Sequence, residues 1–366
     1  MGRTTGGRQH VNSEGRTSGR DAVDLGIVIV NWNVRDLLAA CLDSVYLDLA
    51  QSAGDLSAAV CVVDNGSSDG SAAMLREQFP RTLRIEGENL GMGAGNNRGL
   101  RALQAQVAPR AFLVLNPDTL VRPGALRQLW ACLQAHHRAG VVAPKLVNPD
   151  GTLQHSAYRF PGLVQAAMDL FPPPGRLARL AASPLNGRYP AAAYRGQPFR
   201  VDHTLGAAFL VRAETIAEVG LFDETFEMYC EEIDWQWRMA RAGWERWVAP
   251  AAEIVHFGGQ STAQAKAQSL THLWTSRRRL YHRYHGAAVN AALSRLVPMG
   301  LRRRIRTNYR LSQQGRLAAD ERAELNLALN DMAQLWSGRR RRRRAAQTAS
   351  TTDSGQAAPG AQPGDD

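Results

Sequence analysis

Short apolar runs alternate with amphipathic helical patterns through the first 150 residues of this chain. The runs are Leu25–Val30, Ala58–Val63, Leu83–Ile85 and Phe112–Leu115. Apolar runs of this length predict buried strands, and the residues between them recur at the spacing of a helix. Four repeats of strand and helix predict an α/β fold with a mostly parallel central sheet.

A polar residue stands at or shortly after the end of each predicted strand: Asn31, Asp64, Asn89 and Asp118. Because the carboxyl ends of parallel strands share one edge of a sheet, we expect a ligand site at this edge. Asp118 is the first candidate for binding a metal ion or a phosphate. The alternative, that Asp118 only shapes the turn before the next helix, stays open at this point.

The second half of the chain predicts further strands at Val141–Ala143, Leu205–Val211, Trp247–Val248 and Ile254–Val255. The second of these contains Gly206 and two alanines, whose small side chains would let another group approach closely. Residues 160–200 are rich in Pro, Ala and Gly and predict a long irregular excursion over the site.

Three acidic residues, Glu231, Glu232 and Asp234, open a predicted helix. Acidic residues in a first turn are favoured by the helix dipole, and Asp234 could pair with Arg238 one turn later. A surface ladder of ion pairs is the simpler explanation. Interleaved Ile and Trp make an exposed face of that kind unusual, so we favour a general base here.

His256 follows a predicted strand and precedes a loop, Gly258-Gly259. A single histidine after a strand is more often structural than a ligand. Its position beside a loop at a strand end makes a ligand role equally plausible.

The net charge of +11 is concentrated near the C-terminus. Residues 300–345 contain 13 arginines and four acidic residues, a net charge of +9, which leaves +2 for all other residues. We therefore predict a near-neutral α/β domain over residues 24–265 and a basic helical extension over 266–337. Residues 1–23 and the Arg-rich residues 338–366 have the composition of disordered tails.

The basic extension interleaves aromatic and arginine residues between Leu273 and Tyr284. This pattern predicts an amphipathic helix at an anionic membrane surface. Six arginines, Arg339–Arg344, could contact a polyanion or be a solvated charge run. The four cysteines lack metal-site spacing, no apolar stretch has the length of a membrane span, and residues 1–23 do not form a signal peptide.

Seven segments in this order resemble the family 2 glycosyltransferases, in particular their rhamnosyltransferase-like branch. They cover roughly residues 25–290 and read IVIVNWN (27–33), VVDNGSSDGS (62–71), ENLGMGAGNNRGL (88–100), LVLNPDT (113–119), LGAAFLVR (205–212), FDETFEMYCEEIDWQWRMARAGW (222–244) and HFGGQST (256–262). The set is specific, although no single segment would be.

The resemblance implies a GT-A fold and the inverting transfer of a sugar from a nucleotide-diphosphate donor, such as a UDP- or dTDP-sugar, to a hydroxyl group. It implies a hexosyltransferase type of enzyme in bacterial cell-envelope polysaccharide synthesis, with a lipid-linked or glycan acceptor. The implied location is cytoplasmic, with peripheral attachment to the inner face of the plasma membrane. Rhamnose is one candidate sugar.

The resemblance also implies roles for individual residues. Glu232 would be the catalytic base with Glu231 and Asp234 supporting it, and Mg²⁺ or Mn²⁺ would be held by Asp118 and His256. The implied donor-binding residues are Asn31, Asp64, Asn89, Gly91, Asn97, Asn116, Asp118 and Gly206.

Two positions depart from the family pattern. Asn116 replaces the first acid of its D-x-D segment, which leaves one carboxylate and makes strict metal dependence an open question. The implied base is Glu232 where the family has Asp, one methylene shorter, and we expect activity to survive this change.

Two other classes of protein were weighed against a glycosyltransferase. A sugar nucleotidyltransferase would have a Gly-rich segment with Arg and Lys near residues 28–35, which this chain lacks. A non-catalytic polyanion-binding protein would explain the arginines but not the polar residues at the sheet edge. Nucleic acid is not favoured as a partner.

Overall fold

The computed structural model describes residues 22–52, 54–259 and 265–338. The strands are β1 Ala22–Asn31, β2 Ala58–Asp64, β3 Leu83–Glu86, β4 Ala108–Leu115, β5 Thr119–Val121, β6 Ala139–Val147, β7 Leu153–Gln154, β8 Ala157–Tyr158, β9 Phe199–Val201, β10 His203–Thr204, β11 Ala208–Arg212 and β12 Glu245–His256. The helices are α1 Arg35–Gln51, α2 Ser71–Gln78, α3 Met92–Gln106, α4 Ala125–Ala135, α5 Leu163–Leu170, α6 Ala213–Val219, α7 Glu231–Arg241, α8 Lys266–Tyr284, α9 Ala287–Gln313 and α10 Ala319–Trp336.

The main sheet has the strand order β3-β2-β1-β4-β11-β6-β12-β5. The first four strands are parallel neighbours, as the alternation of strands and helices predicted. Strand β11 is antiparallel to both β4 and β6, and β6 and β12 are parallel to each other. The predicted α/β architecture with a mostly parallel sheet is thus confirmed.

The alternation of side chains along the strands divides the apolar core between the two faces of the sheet. Ile27 and Ile29 of β1 pack with α1 and α4 on one face. Val28 and Val30 of the same strand pack with α3 and α7 on the other. Because both faces are covered, β1 reads as a continuous apolar run, as expected for a buried parallel strand.

The C-terminal helices form a separate apolar cluster. Trp274, Leu293, Leu301, Leu329 and Trp336 pack together with α5. No helix within the described ranges combines the length and the apolar composition that a membrane-spanning segment needs.

Several element boundaries differ from the sequence-based predictions. Strand β1 begins at Ala22, so residues 22 and 23 do not belong to an N-terminal tail. The strand predicted at Leu205–Val211 begins only at Ala208, and one long strand, β12, replaces two predicted short ones. A register shift between Ala249 and Glu253 interrupts the pairing of β12 with β6, which explains why its apolar pattern breaks there. Residues 160–200 contain α5 and 3-10 turns rather than only irregular chain. The division into domains stays a prediction.

Candidate active site

The carboxyl ends of neighbouring parallel strands meet at one edge of the sheet and open into a cavity of about 370 Å³. Asn31 pairs in register with Asp64 across β1 and β2, and β4 ends beside them at Leu115. Most of the residues singled out in the sequence line this cavity: Asn31, Asn89, Gly91, Asn116, Asp118, Gly206, Glu231, Glu232 and His256. Parallel pairing of β1, β2 and β4, antiparallel pairing of β5 with β12 and the start of α7 together bring residues into this cavity that are more than 200 positions apart.

Asp64 lies behind the cavity wall instead of lining it. Its buried carboxylate accepts a hydrogen bond of 3.0 Å from Asn31 Nδ2 and a second from the Ser67 hydroxyl. Asn31 and Asp64 thus hold each other in position. A role of Asp64 in binding the base of a nucleotide stays a prediction.

Asn97 was expected to border the donor, and the structure places it elsewhere. It is buried within α3, where its amide nitrogen donates to the Phe222 carbonyl at 2.9 Å and to Glu224 Oε1 at 2.8 Å. The Phe222 amide donates back to Asn97 Oδ1 at 3.0 Å. Asn97 therefore anchors the segment before α7 and does not line the cavity.

Asp234 was expected to support the base, and the structure places its side chain outside the cavity lining. Its fully buried carboxylate accepts hydrogen bonds from Arg238 at 3.0 Å, Arg283 at 2.7 Å and the Tyr284 hydroxyl at 2.8 Å. Arg283 also pairs with Asp223 at 2.7 Å. Burial would raise the pKa of Asp223, but hydrogen bonds from Thr225 and the pairing with Arg283 lower it to about 2. Asp234 joins α7 to α8 on the side of α7 away from the cavity.

We expect Asp234→Ala to lower the free energy of unfolding by about 3 kcal/mol, because it leaves two guanidinium groups facing a buried gap. Urea unfolding of the purified variant measures this change. Asp43→Ala, which removes an exposed acid from the middle of α1, is the matched control and should change stability by less than about 0.5 kcal/mol. An Asp234 variant as stable as the control would contradict the structural role.

Asp118 and His256 both line the cavity and lie next to each other there. Asp118 Oδ1 is 3.4 Å from His256 Nε2. Strand β5 pairs with the end of β12, setting Thr119 opposite His256, and the Phe257 amide donates to the Asp118 carbonyl at 2.9 Å. Backbone hydrogen bonds therefore fix the separation of the two side chains.

Gln154, which the sequence gave no reason to select, decides the tautomer of His256. Gln154 Nε2 donates to Asn148 Oδ1 at 3.0 Å and to the His256 carbonyl at 3.3 Å. Its Oε1 is therefore the atom 2.7 Å from His256 Nδ1 and accepts the Nδ1–H hydrogen bond. In the neutral imidazole this bond leaves Nε2 without a proton, so that a nitrogen lone pair and a carboxylate oxygen face each other.

Two facing acceptors fit a divalent cation. A carboxylate oxygen is a suitable ligand for Mg²⁺ or Mn²⁺, and an imidazole nitrogen suits the transition metal Mn²⁺ better than Mg²⁺. Neighbouring ligands about 2.1 Å from such an ion lie about 3 Å apart. The described residues contain no group of three or more His, Cys, Asp or Glu side chains placed to hold a metal ion. An ion at Asp118 and His256 would therefore have these two side chains as ligands, with further positions for phosphate and water.

The N-terminus of α7 carries Glu231 and Glu232 into the cavity. Tyr229 and Cys230 precede the helix with φ values of 65° and 66°, which non-glycine residues seldom adopt and which often mark functional sites. Gly206 lies against Glu232, since a Cβ at this position would stand 3.3 Å from Glu232 Cγ. The small residues noted in the sequence therefore make room for Glu232.

Burial changes the acidity of both carboxyl groups. It raises the pKa of Glu232 to about 7, although backbone hydrogen bonds at the helix N-terminus oppose the change. Burial and the neighbouring Glu232 carboxylate raise the pKa of Glu231 well above its usual value. Glu232 is thus poised to accept a proton near neutral pH.

Gly91 connects the loop before α3 to the segment that leads into α7. It has a φ of 86°, and a Cβ there would overlap the Glu227 carbonyl oxygen. The next amide, of Met92, donates to this same oxygen at 2.9 Å. Any side chain at position 91 would disrupt this contact between the two backbone segments, so glycine is required there.

The cavity also contains residues that were not selected from the sequence, among them Trp32, Asn65, Met228 and Tyr229. Asn65 follows Asp64 directly, so its position past the end of β2 was the available signal. Met228 and Tyr229 are brought in by the turn before α7, which has no local sequence pattern.

Three buried oxygen atoms in the cavity wall have no hydrogen-bond partner among the described residues: Asn31 Oδ1, Asn65 Oδ1 and Glu231 Oε2. Buried polar atoms are nearly always paired in native proteins. An ordered water molecule or a bound ligand would have to supply the missing hydrogen-bond donors.

Residues 23–281 match the model of the family described as "Glycosyltransferase like family 2". The match spans well over half of the chain, and the chain therefore belongs to the family 2 glycosyltransferases. The predicted family, the GT-A fold and the enzyme class are thereby confirmed.

The relatives agree with this membership. An N-acetylglucosaminyl-diphospho-decaprenol L-rhamnosyltransferase of Mycobacterium tuberculosis is 30% identical over 225 residues, 58% of this chain and 70% of that protein. A low-salt glycan biosynthesis hexosyltransferase of Haloferax volcanii is 24% identical over 218 residues, 60% of this chain and 62% of that protein.

Among solved structures, a mannosyltransferase of Pyrobaculum calidifontis in complex with GDP-Man and Mn²⁺ is similar in fold. It has a TM-score of 0.50 and 15% identity, and the comparison covers 87% of this chain and 90% of that one. At this identity the similarity concerns the fold alone.

Proposed function

We propose that this enzyme transfers a sugar, with inversion, from a nucleotide-diphosphate donor to a hydroxyl group of a lipid-linked or polysaccharide acceptor in the bacterial cell envelope. One observation carries the proposal: Glu232 and the Asp118–His256 pair line the same cavity. Rhamnose is the sugar to test first, because the M. tuberculosis relative is named as a rhamnosyltransferase.

Glu232 would act as the general base. It would take the proton from the acceptor hydroxyl as the oxygen attacks the anomeric carbon and the bond to the diphosphate breaks. A pKa of about 7 suits this step, because the carboxylate is ionised near neutral pH and still basic enough to accept a proton.

Asp118 and His256 would hold Mg²⁺ or Mn²⁺, with Gln154 fixing the histidine tautomer. When bound, the cation would stabilise the negative charge of the departing nucleotide diphosphate. Asn31, Asn65 and Asn89 would border the donor, since all three line the cavity.

Calorimetry with UDP, dTDP and GDP, each with Mn²⁺ and then with EDTA, tests the proposal. We expect one nucleotide to bind in the presence of the metal and its affinity to fall at least tenfold in EDTA. Failure of all three nucleotides to bind to folded protein would contradict a nucleotide-sugar donor.

A further inference from the structure

The aromatic and basic pattern of α8 predicted a membrane-binding helix, and the structure does not leave its apolar side available. Trp274, Leu280 and Tyr281 are all buried. The Trp274 and Tyr281 rings pack against Trp336 of α10. This side of α8 is therefore part of the protein core, and a membrane contact has to come from another surface.

Helix α9 presents a dense positive charge on the described surface. Its 27 residues include six arginines and no acidic residue. Five of the arginines recur at intervals that place them on one side of the helix, and all five are exposed: Arg295, Arg302, Arg303, Arg306 and Arg310. The ion pairs of the C-terminal helices, as far as the structure describes them, are made from α8, by Lys266, His272, Arg277 and Arg283.

Met299 lies exposed among these arginines, and the excursion after α5 meets the helix at Arg303. Met299 stands one turn before Arg303 and is 56% exposed. Arg303 in turn lies 5.7 Å from the Phe171 ring, where the excursion after α5 begins. This excursion exposes Leu177 by 54% and Leu185 by 61%. We call the exposed side of α9 together with residues 171–187 the basic face.

The excursion adds charge as well as apolar surface to the basic face. Arg176 and Arg179 are exposed on either side of Leu177 in the same 3-10 helix. The C-terminal end of the excursion lies beside α5, where Gly187 is close to Gln165. Arginines interspersed with single exposed Leu and Met side chains match the composition of interfacial membrane-binding surfaces.

We propose that the basic face docks the enzyme on an anionic lipid bilayer. The proposal deepens the proposed function, since a lipid-linked acceptor would be met at such a surface. A second copy of the chain is disfavoured as the occupant, because two faces of the same charge repel each other. A nucleic acid would pair with the arginines but would leave the leucines and Met299 without an apolar environment.

Sedimentation of the full-length chain with vesicles measures the docking. We expect tight partition onto vesicles of phosphatidylcholine with 30% phosphatidylglycerol and weak partition onto phosphatidylcholine alone. Each arginine near such a surface contributes about fivefold to partition. The triple variant Arg302→Gln, Arg306→Gln and Arg310→Gln should therefore partition about 100-fold more weakly.

A matched control removes the same charge from the rest of the surface. The triple variant Arg81→Gln, Arg127→Gln and Arg195→Gln changes three exposed arginines outside the basic face and should alter partition less than fivefold. The Arg-rich residues 339–344 lie outside the described residues and are present in both variants. Equal losses in the two variants would overturn the proposal.

The apolar residues are tested separately. Replacing Leu177, Leu185 and Met299 with serine should lower the partition that persists in about 0.5 M salt by about tenfold, because salt screens the arginines but not apolar insertion. Unchanged partition in this variant would overturn the apolar part of the contact. A single-stranded oligonucleotide that binds more tightly than the vesicles, and that the α9 triple variant no longer binds, would overturn a lipid as the occupant.

Nucleotide calorimetry on the same variants separates this proposal from the proposed function. The α9 triple variant should bind the nucleotide as the unaltered chain does, since none of its substitutions lies in the cavity. If the α9 triple variant loses vesicle partition but still binds the nucleotide, the basic face serves in docking and not in nucleotide binding. Intact partition without nucleotide binding would contradict only the proposed function.

Discussion

Replacing Glu232 with glutamine is expected to lower the rate of sugar transfer by about 10²- to 10⁴-fold while the nucleotide still binds. Glutamine has nearly the same shape and keeps the contact with Gly206, but it cannot accept a proton. Transfer is measured under saturating donor, and nucleotide binding is measured by calorimetry. Glu232→Asp, which keeps a carboxylate in a shorter side chain, should retain more activity than the glutamine variant.

The pH dependence of the rate provides a second test of Glu232. Because burial raises its pKa to about 7, the carboxyl group is protonated and inactive as a base below this pH. The rate of the unaltered enzyme should therefore rise with pH and level off above about 8. The residual rate of Glu232→Gln should lack this rise. A variant with the same pH profile as the unaltered enzyme would place the base elsewhere, and loss of nucleotide binding would indicate a structural role.

Replacing Asp118 with asparagine is expected to lower donor turnover by about 10²-fold or more. Of the two proposed protein ligands of the cation, Asp118 is the one that carries a negative charge, and asparagine lacks this charge. Calorimetric titration of Mn²⁺ in the presence of the preferred nucleotide measures the loss directly. Asp55→Asn, which neutralises an exposed acid, is the matched control and should leave Mn²⁺ binding unchanged. Full Mn²⁺ affinity in the Asp118 variant would remove the proposed site.

Gln154→Leu provides a graded version of this experiment. The variant removes the acceptor that holds the Nδ1–H of His256, and the loss of such an outer partner typically weakens metal binding about 10- to 100-fold. Nucleotide binding in EDTA should stay unchanged, which a general loss of structure would not allow. A variant with normal Mn²⁺ affinity would show that Gln154 does not position His256.

The sequence identified the position of the site because strand ends carry a local signal. Apolar runs marked β1, β2 and β4, and parallel pairing brings their carboxyl ends to one edge. Asn31, Asn116 and Asp118 could therefore be placed together without a structure. Local patterns also marked Glu232 and His256 as candidates, and the family segments assigned them their roles. All five of these residues line the cavity.

The sequence could not distinguish which polar residues of one segment face the cavity. Glu231, Glu232 and Asp234 lie within four residues of each other, yet only the first two line the site. Asp234 points toward α8 because Arg283 and Tyr284, about 50 residues later, pack against that side of α7. The apolar side of α8 was misread for the same reason, since its cover is provided by other parts of the chain.

Local periodicity thus determined most of the central strands and helices, the sheet edge and the chemical types of the site residues, since these depend on neighbours in the sequence. The tertiary structure alone decided which face of each element meets which partner. Gln154 contacts His256 across 102 positions, and Gly206 contacts Glu232 through a turn that no periodicity predicts. Such contacts depend on the packing of distant segments, because a side-chain pattern specifies an apolar or polar face but not the group that will cover it.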